Sequence, residues 1–135
     1  MLAVACGGGS TAGGPTVGRV TLEVSGGIAG WDRVLTVESD GSVHVRSPRG
    51  PTPSPTVEKL DPDVLNRLHE LVSDPAFAQL APAYVPPQPG ADLLDYTVSA
   101  EVDGKTLKTM ARQGSSPPPI LREVLDILRG LFGAA

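Results

Sequence analysis

Two Asp-Gly pairs, Asp40-Gly41 and Asp103-Gly104, each stand between runs in which apolar and polar residues alternate. Asp-Gly adopts the positive-φ conformations of a tight hairpin with little strain, and period-two alternation marks a strand with one buried face. Antiparallel pairing is therefore required at two separate places. A strand over Arg33 to Ser39, with Leu35 and Val37 on one face, enters the first turn, and Ser42 to Ser47 leaves it with Val43 and Val45 inward. Leu94, Tyr96, Val98, Ala100 and Val102 lead into the second, which returns through Lys105 to Arg112. A further alternating run, Val20, Leu22 and Val24, precedes both.

Helical periodicity occurs twice. Asp61-Pro62 is a start signal, a capping carboxylate followed by a proline whose missing N–H costs nothing in the first turn. Val64, Leu65, Leu68, Leu71 and Val72 follow on one face, with Asn66, Arg67 and Glu70 towards water, and Asp74-Pro75 ends the helix. Phe77 and Leu80 read as a short turn beneath the sheet. After Ser115, Ser116 and three prolines, Ile120, Leu121, Val124, Leu125, Ile127, Leu128 and Leu131 form a stripe wide enough to be well buried. Pro48–Pro55 and Pro82–Gly90 read as proline-rich loops. The predicted order is βββαββα, an α+β fold in which two helices pack on one face of an antiparallel sheet. With 135 residues and 40% apolar content the chain builds one core, placed over residues 17–132.

Residues 1–16 read differently. Leu2-Ala3-Val4-Ala5-Cys6, followed by Gly7-Gly8-Gly9-Ser10, resembles the end of a bacterial lipoprotein signal, with Cys6 the acylated residue and a disordered Gly/Ser tether after it. Such a signal needs a basic start and a longer apolar stretch. The expected location is thus extracytoplasmic, anchored to a membrane by lipid on Cys6, if the signal begins upstream of Met1, and cytoplasmic otherwise. No apolar run reaches the 18 residues of a transmembrane helix, and a lone cysteine forms no internal disulfide. A net charge of −4 without a basic stripe, and 4% aromatic content, argue against nucleic acid as a partner.

Catalytic patterns fail one by one. His69-Glu70 begins like the zinc-peptidase motif H-E-x-x-H, but Ser73 stands where the second histidine belongs, so a solvated helix face is expected. His44 has no second ligand at useful spacing and reads as an exposed strand residue. Asp92, Asp95 and Glu101 are close in sequence, yet Asp95 and Glu101 lie about 20 Å apart along a strand, too far for a carboxylate pair. No G-x-S-x-G elbow is present. Gly26-Gly27-x-x-Gly30 lacks the lysine of a P-loop and leads into a strand rather than a helix. The expectation is no enzyme, no metal and no cofactor.

What remains is Ser25-Gly26-Gly27-Ile28-Ala29-Gly30-Trp31, which joins two strands where a short polar turn is usual. Its glycines permit positive φ and close approach of another surface, and Ile28 and Trp31 put apolar side chains on it. Three segments together resemble the emfourin family, small inhibitors of thermolysin-like zinc metallopeptidases such as protealysin. They are Val20-Thr21-Leu22-x-x-Ser25-Gly26-Gly27-Ile28-Ala29-Gly30, then Asp92-x-Leu94-x-Tyr96-x-Val98, then Pro118-Pro119-Ile120-Leu121-x-x-x-Leu125-x-x-Leu128. The likeness spans about residues 19 to 131.

The resemblance implies a monomeric inhibitor whose loop Ser25–Trp31 blocks a peptidase cleft non-covalently, with Ile28 and Trp31 as anchors. Pro89, Gly90 and Asp92 are the expected secondary contact, and the Pro48–Pro55 segment could add area. Thermolysin-like enzymes favour a bulky side chain just after the scissile bond, which Ile28 supplies; the family pattern often has an aromatic there. Members are mostly compact and look cytosolic, unlike a chain with a lipoprotein-like start. Two other classes fit the residues: a lipid-anchored envelope binding or accessory protein without inhibitory activity, and an accessory domain pairing through a sheet edge.

Overall fold

Alternation along the chain becomes one sheet. The computed structural model describes residues 16–27, 30–87 and 93–132. Strands β1 (Val17–Gly26), β2 (Trp31–Val37) and β3 (Val43–Arg49) are followed by helices α1 (Pro62–Ser73) and α2 (Pro75–Ala78). Strands β4 (Ala83–Tyr84), β5 (Leu94–Val102) and β6 (Lys105–Arg112) and helix α3 (Pro119–Arg129) complete the order. The six strands lie as β3-β2-β1-β5-β6-β4, antiparallel except for β4 on β6. The α+β class read from the sequence is the class observed.

Register decides which face is apolar. Leu22 lies opposite Leu35 on one side and Val98 on the other, and Val20 opposite Val37 and Ala100. These six side chains are fully buried. Leu68, Leu71 and Val72 of α1, Phe77 of α2, and Leu121, Val124, Leu125 and Leu128 of α3 join them in one core. The opposite sheet face carries Thr21, Glu23, Thr36, Arg46, Thr97, Ser99 and Lys108. Asp61 caps α1 as expected, its carboxylate accepting from the Asp63 amide, and Arg67 of α1 holds Glu123 of α3 through two hydrogen bonds of 2.6 and 2.8 Å.

Several expectations change. The turn at Phe77 is the short helix α2, capped by Asp74. The Pro82–Gly90 segment contributes β4, beside which Thr109 donates to the Ala81 carbonyl at 2.7 Å and the Met110 amide to the Pro82 carbonyl at 3.1 Å. Strand β3 continues through Pro48 to Arg49, and Pro53 within the expected loop is fully buried. That segment then bridges to the end of α3 at Pro55 and Phe132. Asp40-Gly41 sits inside a five-residue connection, Glu38 to Ser42, in which the Asp40 carboxylate accepts from the Ser42 amide. Asp103-Gly104 is the two-residue turn expected, with φ of 52° and 78°. Helix α3 starts at Pro119, with Pro118 at the N-cap and no side-chain capping bond.

Candidate functional site

The β1–β2 connection rests on three paired strands. Strand β1 keeps register with β2 up to Gly26 opposite Trp31, and with β5 up to Gly26 opposite Leu94. Beyond it the chain turns through Gly27, whose amide donates to the Leu93 carbonyl at 3.4 Å, while the Gly30 amide donates to Gly27 at 3.2 Å. Gly26, Gly27 and Gly30 have φ of 98°, 75° and 64°. A Cβ on Gly26 would stand 2.6 Å from the Leu93 carbonyl oxygen, so both conformation and space require glycine there. Ser25 is half-buried opposite Asp32. Ile28 and Ala29 lie outside the described residues, as do Pro89, Gly90 and Asp92 of the expected secondary contact and the expected lipidation residue Cys6.

Trp31 is 40% exposed, but its ring already has neighbours within the molecule. The Arg33 guanidinium lies 4.7 Å from the ring centroid. A Cβ on Gly50 would fall 2.6 Å from the ring, so Gly50 leaves the space that Trp31 occupies. The residue expected as a partner anchor therefore also braces the base of its own loop. Sequence offered no sign of this, because Gly50 follows a strand whose register was not readable past Ser47.

Behind the loop, on the sheet face away from the helices, Glu23 and Asp32 meet. Their hydrogen bond, then burial, then the Asp32 charge hold the Glu23 carboxyl above its ordinary value of 4.5, with Lys108 and Arg46 acting in the opposite sense. Asp32 Oδ1 is buried without a partner among the described residues. The pairing escaped sequence reading because these residues flank the loop at unequal distances.

The remaining candidates disperse. Asp95 pairs with Arg112 at 2.8 Å, whereas Glu101, at the other end of β5, accepts from the Arg19 amide at 3.5 Å. His44 is exposed on β3, as expected. His69 departs from the expected solvated face: it is half-buried, burial holds its imidazole below the usual value, and Nε2 has no partner among the described residues. Among those residues no group of three or more His, Cys, Asp or Glu side chains is placed to hold a metal. No described helix is long and apolar enough to cross a membrane.

Close to the loop, a cleft of about 270 Å³ opens between the ends of β5 and β6 and helix α3. Its walls include Tyr96, Leu125, Arg112, Arg122 and Arg129. Arg122 and Arg129 stand two helical turns apart on α3, a spacing visible in the sequence but meaningless until β5 is set beside it. No family model matches this chain, and no curated protein or solved structure matches it either.

Proposed function

We propose that this chain is a proteinaceous inhibitor of a thermolysin-like zinc metallopeptidase, occluding the active-site cleft without covalent chemistry through Ser25–Trp31. The observation that carries the reading is the base of that loop. Gly26 is in register with strands on both sides, and Gly27 is tied to Leu93, so the segment bearing Ile28 leaves a fixed support. Fixing a loop before binding lowers the ordering cost that otherwise weakens an interface. Burying Ile28 in an apolar pocket contributes roughly 1.5–3 kcal/mol, so tight binding also needs the surface around the loop. Pro89, Gly90 and Asp92 directly precede Leu93 in sequence and are the proposed source of that surface.

Neither the Ile28 nor the Ala29 side chain carries a metal-ligating atom, and the mechanism proposed is therefore steric occlusion rather than side-chain capture of the catalytic zinc. The protein turns over no substrate and acts as a monomer in this reading. A lipid on Cys6 would hold the inhibitor at an extracytoplasmic membrane surface, and mass spectrometry of membrane fractions checks that modification. The packing of Trp31 against Arg33 and Gly50 favours a second reading, in which the loop is structural and the chain is a lipid-anchored accessory protein without inhibitory activity.

Titration of a thermolysin-like peptidase with the purified chain and with Ile28→Asp tests the two. The native chain should inhibit competitively, and the variant about 100-fold more weakly, since a carboxylate replaces an apolar anchor in a desolvated pocket. Equal inhibition by both rejects the loop; no inhibition by the native chain leaves the accessory reading.

A further inference from the structure

The cleft between β5, β6 and α3 has a composition that neither folding nor the proposed inhibition uses. Its wall is mixed: buried Leu125 and half-buried Tyr96 supply carbon, and Gln113 and Ser115 stand beside them. Its rim is cationic: Arg112, Arg122 and Arg129 line it, against the single carboxylate of Asp126. Arg112 is neutralised by Asp95 at 2.8 Å. Among the described residues, Arg122 and Arg129 form no ion pair with each other's neighbour Asp126 or with any other acid. An acidic chain of net charge −4 thus concentrates, among the described residues, two guanidinium groups without ion pairs around one cleft.

Helix stability does not account for them. Arg129 lies in the last turn of α3, where a cation suits the helix dipole, but Arg122 is the fourth residue from the N-terminal end, where a cation is unfavourable. Arg129 is also positioned by something besides the helix: its guanidinium carbon lies 4.9 Å from the centroid of the Tyr96 ring. A guanidinium held through its face keeps the N–H groups around its edge available, in the fork that matches the two oxygens of a carboxylate.

The geometry points to a binding site for a carboxylate carried on a compact apolar group, the carboxylate taken by Arg129 and the apolar group by Tyr96 and Leu125. Arg122 adds positive field at the other end of the cleft. A volume of about 270 Å³ admits one amino-acid-sized group and no larger ligand. The chemistry is shared by a small free acid and by the C-terminal residue of a polypeptide. The site stands independently of any role for the Ser25–Trp31 loop.

The test uses the full chain, titrated by calorimetry and by backbone amide shifts with N-acetyl-leucine, its amide, acetate, inorganic phosphate, and a tripeptide ending in leucine. N-acetyl-leucine should bind with a Kd on the order of 1 mM, as befits a ligand of its size, and shift amides of residues 112–116. Its amide, acetate and phosphate should each bind about tenfold more weakly or not at all, because each lacks one half of the recognition. Arg129→Gln should weaken binding about tenfold, and Arg129→Lys, which keeps the charge without the fork, should weaken it as well. Circular dichroism and Tm establish that each variant is folded, and the lysine variant serves if the glutamine one is not. Tripeptide binding as tight as that of N-acetyl-leucine assigns a chain terminus; binding of the small acid alone assigns a free acid. Equal binding of acid and amide, phosphate binding as tight as the acid, or unchanged binding in both folded variants overturns the assignment.

Discussion

The two ends of the sheet are built on different terms. At one end lie the Glu38–Ser42 connection and the Asp103-Gly104 turn, where local hydrogen bonds close the backbone and Gly41 is packed by Leu60 and Leu65. At the other lie the Gly26–Trp31 connection, an Asp32 oxygen without a partner among the described residues, a Glu23 carboxyl held above its ordinary value, a tryptophan 40% exposed, and the arginine-rimmed cleft. The first end sets register and finishes the fold. The second keeps polar and apolar groups in arrangements that folding alone does not reward, and such departures concentrate where a protein meets something else.

Paired glycine substitutions should divide the ends most sharply. Gly26 and Gly104 both have positive φ, yet a Cβ at Gly26 meets the Leu93 oxygen at 2.6 Å and one at Gly104 meets nothing within 4 Å. Gly26→Ala should cost about 2–3 kcal/mol, conformational strain plus backbone displacement, and Gly104→Ala only about 1 kcal/mol. Equal costs in denaturant titrations would show that the loop base is not held against Leu93. Trp31→Ala should cost about 1 kcal/mol through lost stacking with Arg33 and a gap over Gly50. No loss of stability would leave Trp31 to a partner alone.

The smallest effect is in pH. A Glu23 carboxyl raised above 4.5 binds its proton more tightly in the folded state, so its contribution is complete below that value and disappears as pH rises through the raised one. Stability measured upward from about pH 4 should therefore fall more steeply in the native chain than in Glu23→Gln. Parallel profiles would show that the Glu23 carboxyl is not raised in the folded protein.

Much of the fold was legible because its signals are local. Leu94 to Val102 and Val20 to Val24 alternate over enough residues to fix their faces, and Asp61-Pro62 marks the start of α1 by its own chemistry. Strand β4 was not legible, since two residues in a proline-rich stretch have no periodicity and their pairing with β6 is a tertiary contact. Pro53 was hidden for a related reason: nothing in a proline-rich stretch without periodicity marks one of its residues as fully buried. Of the candidate site, the glycines at 26, 27 and 30 could be read as requiring positive φ. The brace of Trp31 on Gly50, the Glu23–Asp32 pair and the Tyr96–Arg129 contact are tertiary, and no spacing in one sequence encodes them.

The claim that one end of the sheet is the binding end is tested most directly by amide hydrogen exchange, with and without an excess of a zinc-loaded thermolysin-like peptidase. Exchange should slow at Gly26, Gly27, Gly30 and Trp31 on complex formation and stay unchanged at residues 39–42 and 103–104. A complex that protects those far turns, while exchange at the Gly26–Trp31 connection continues at its free rate, would contradict it.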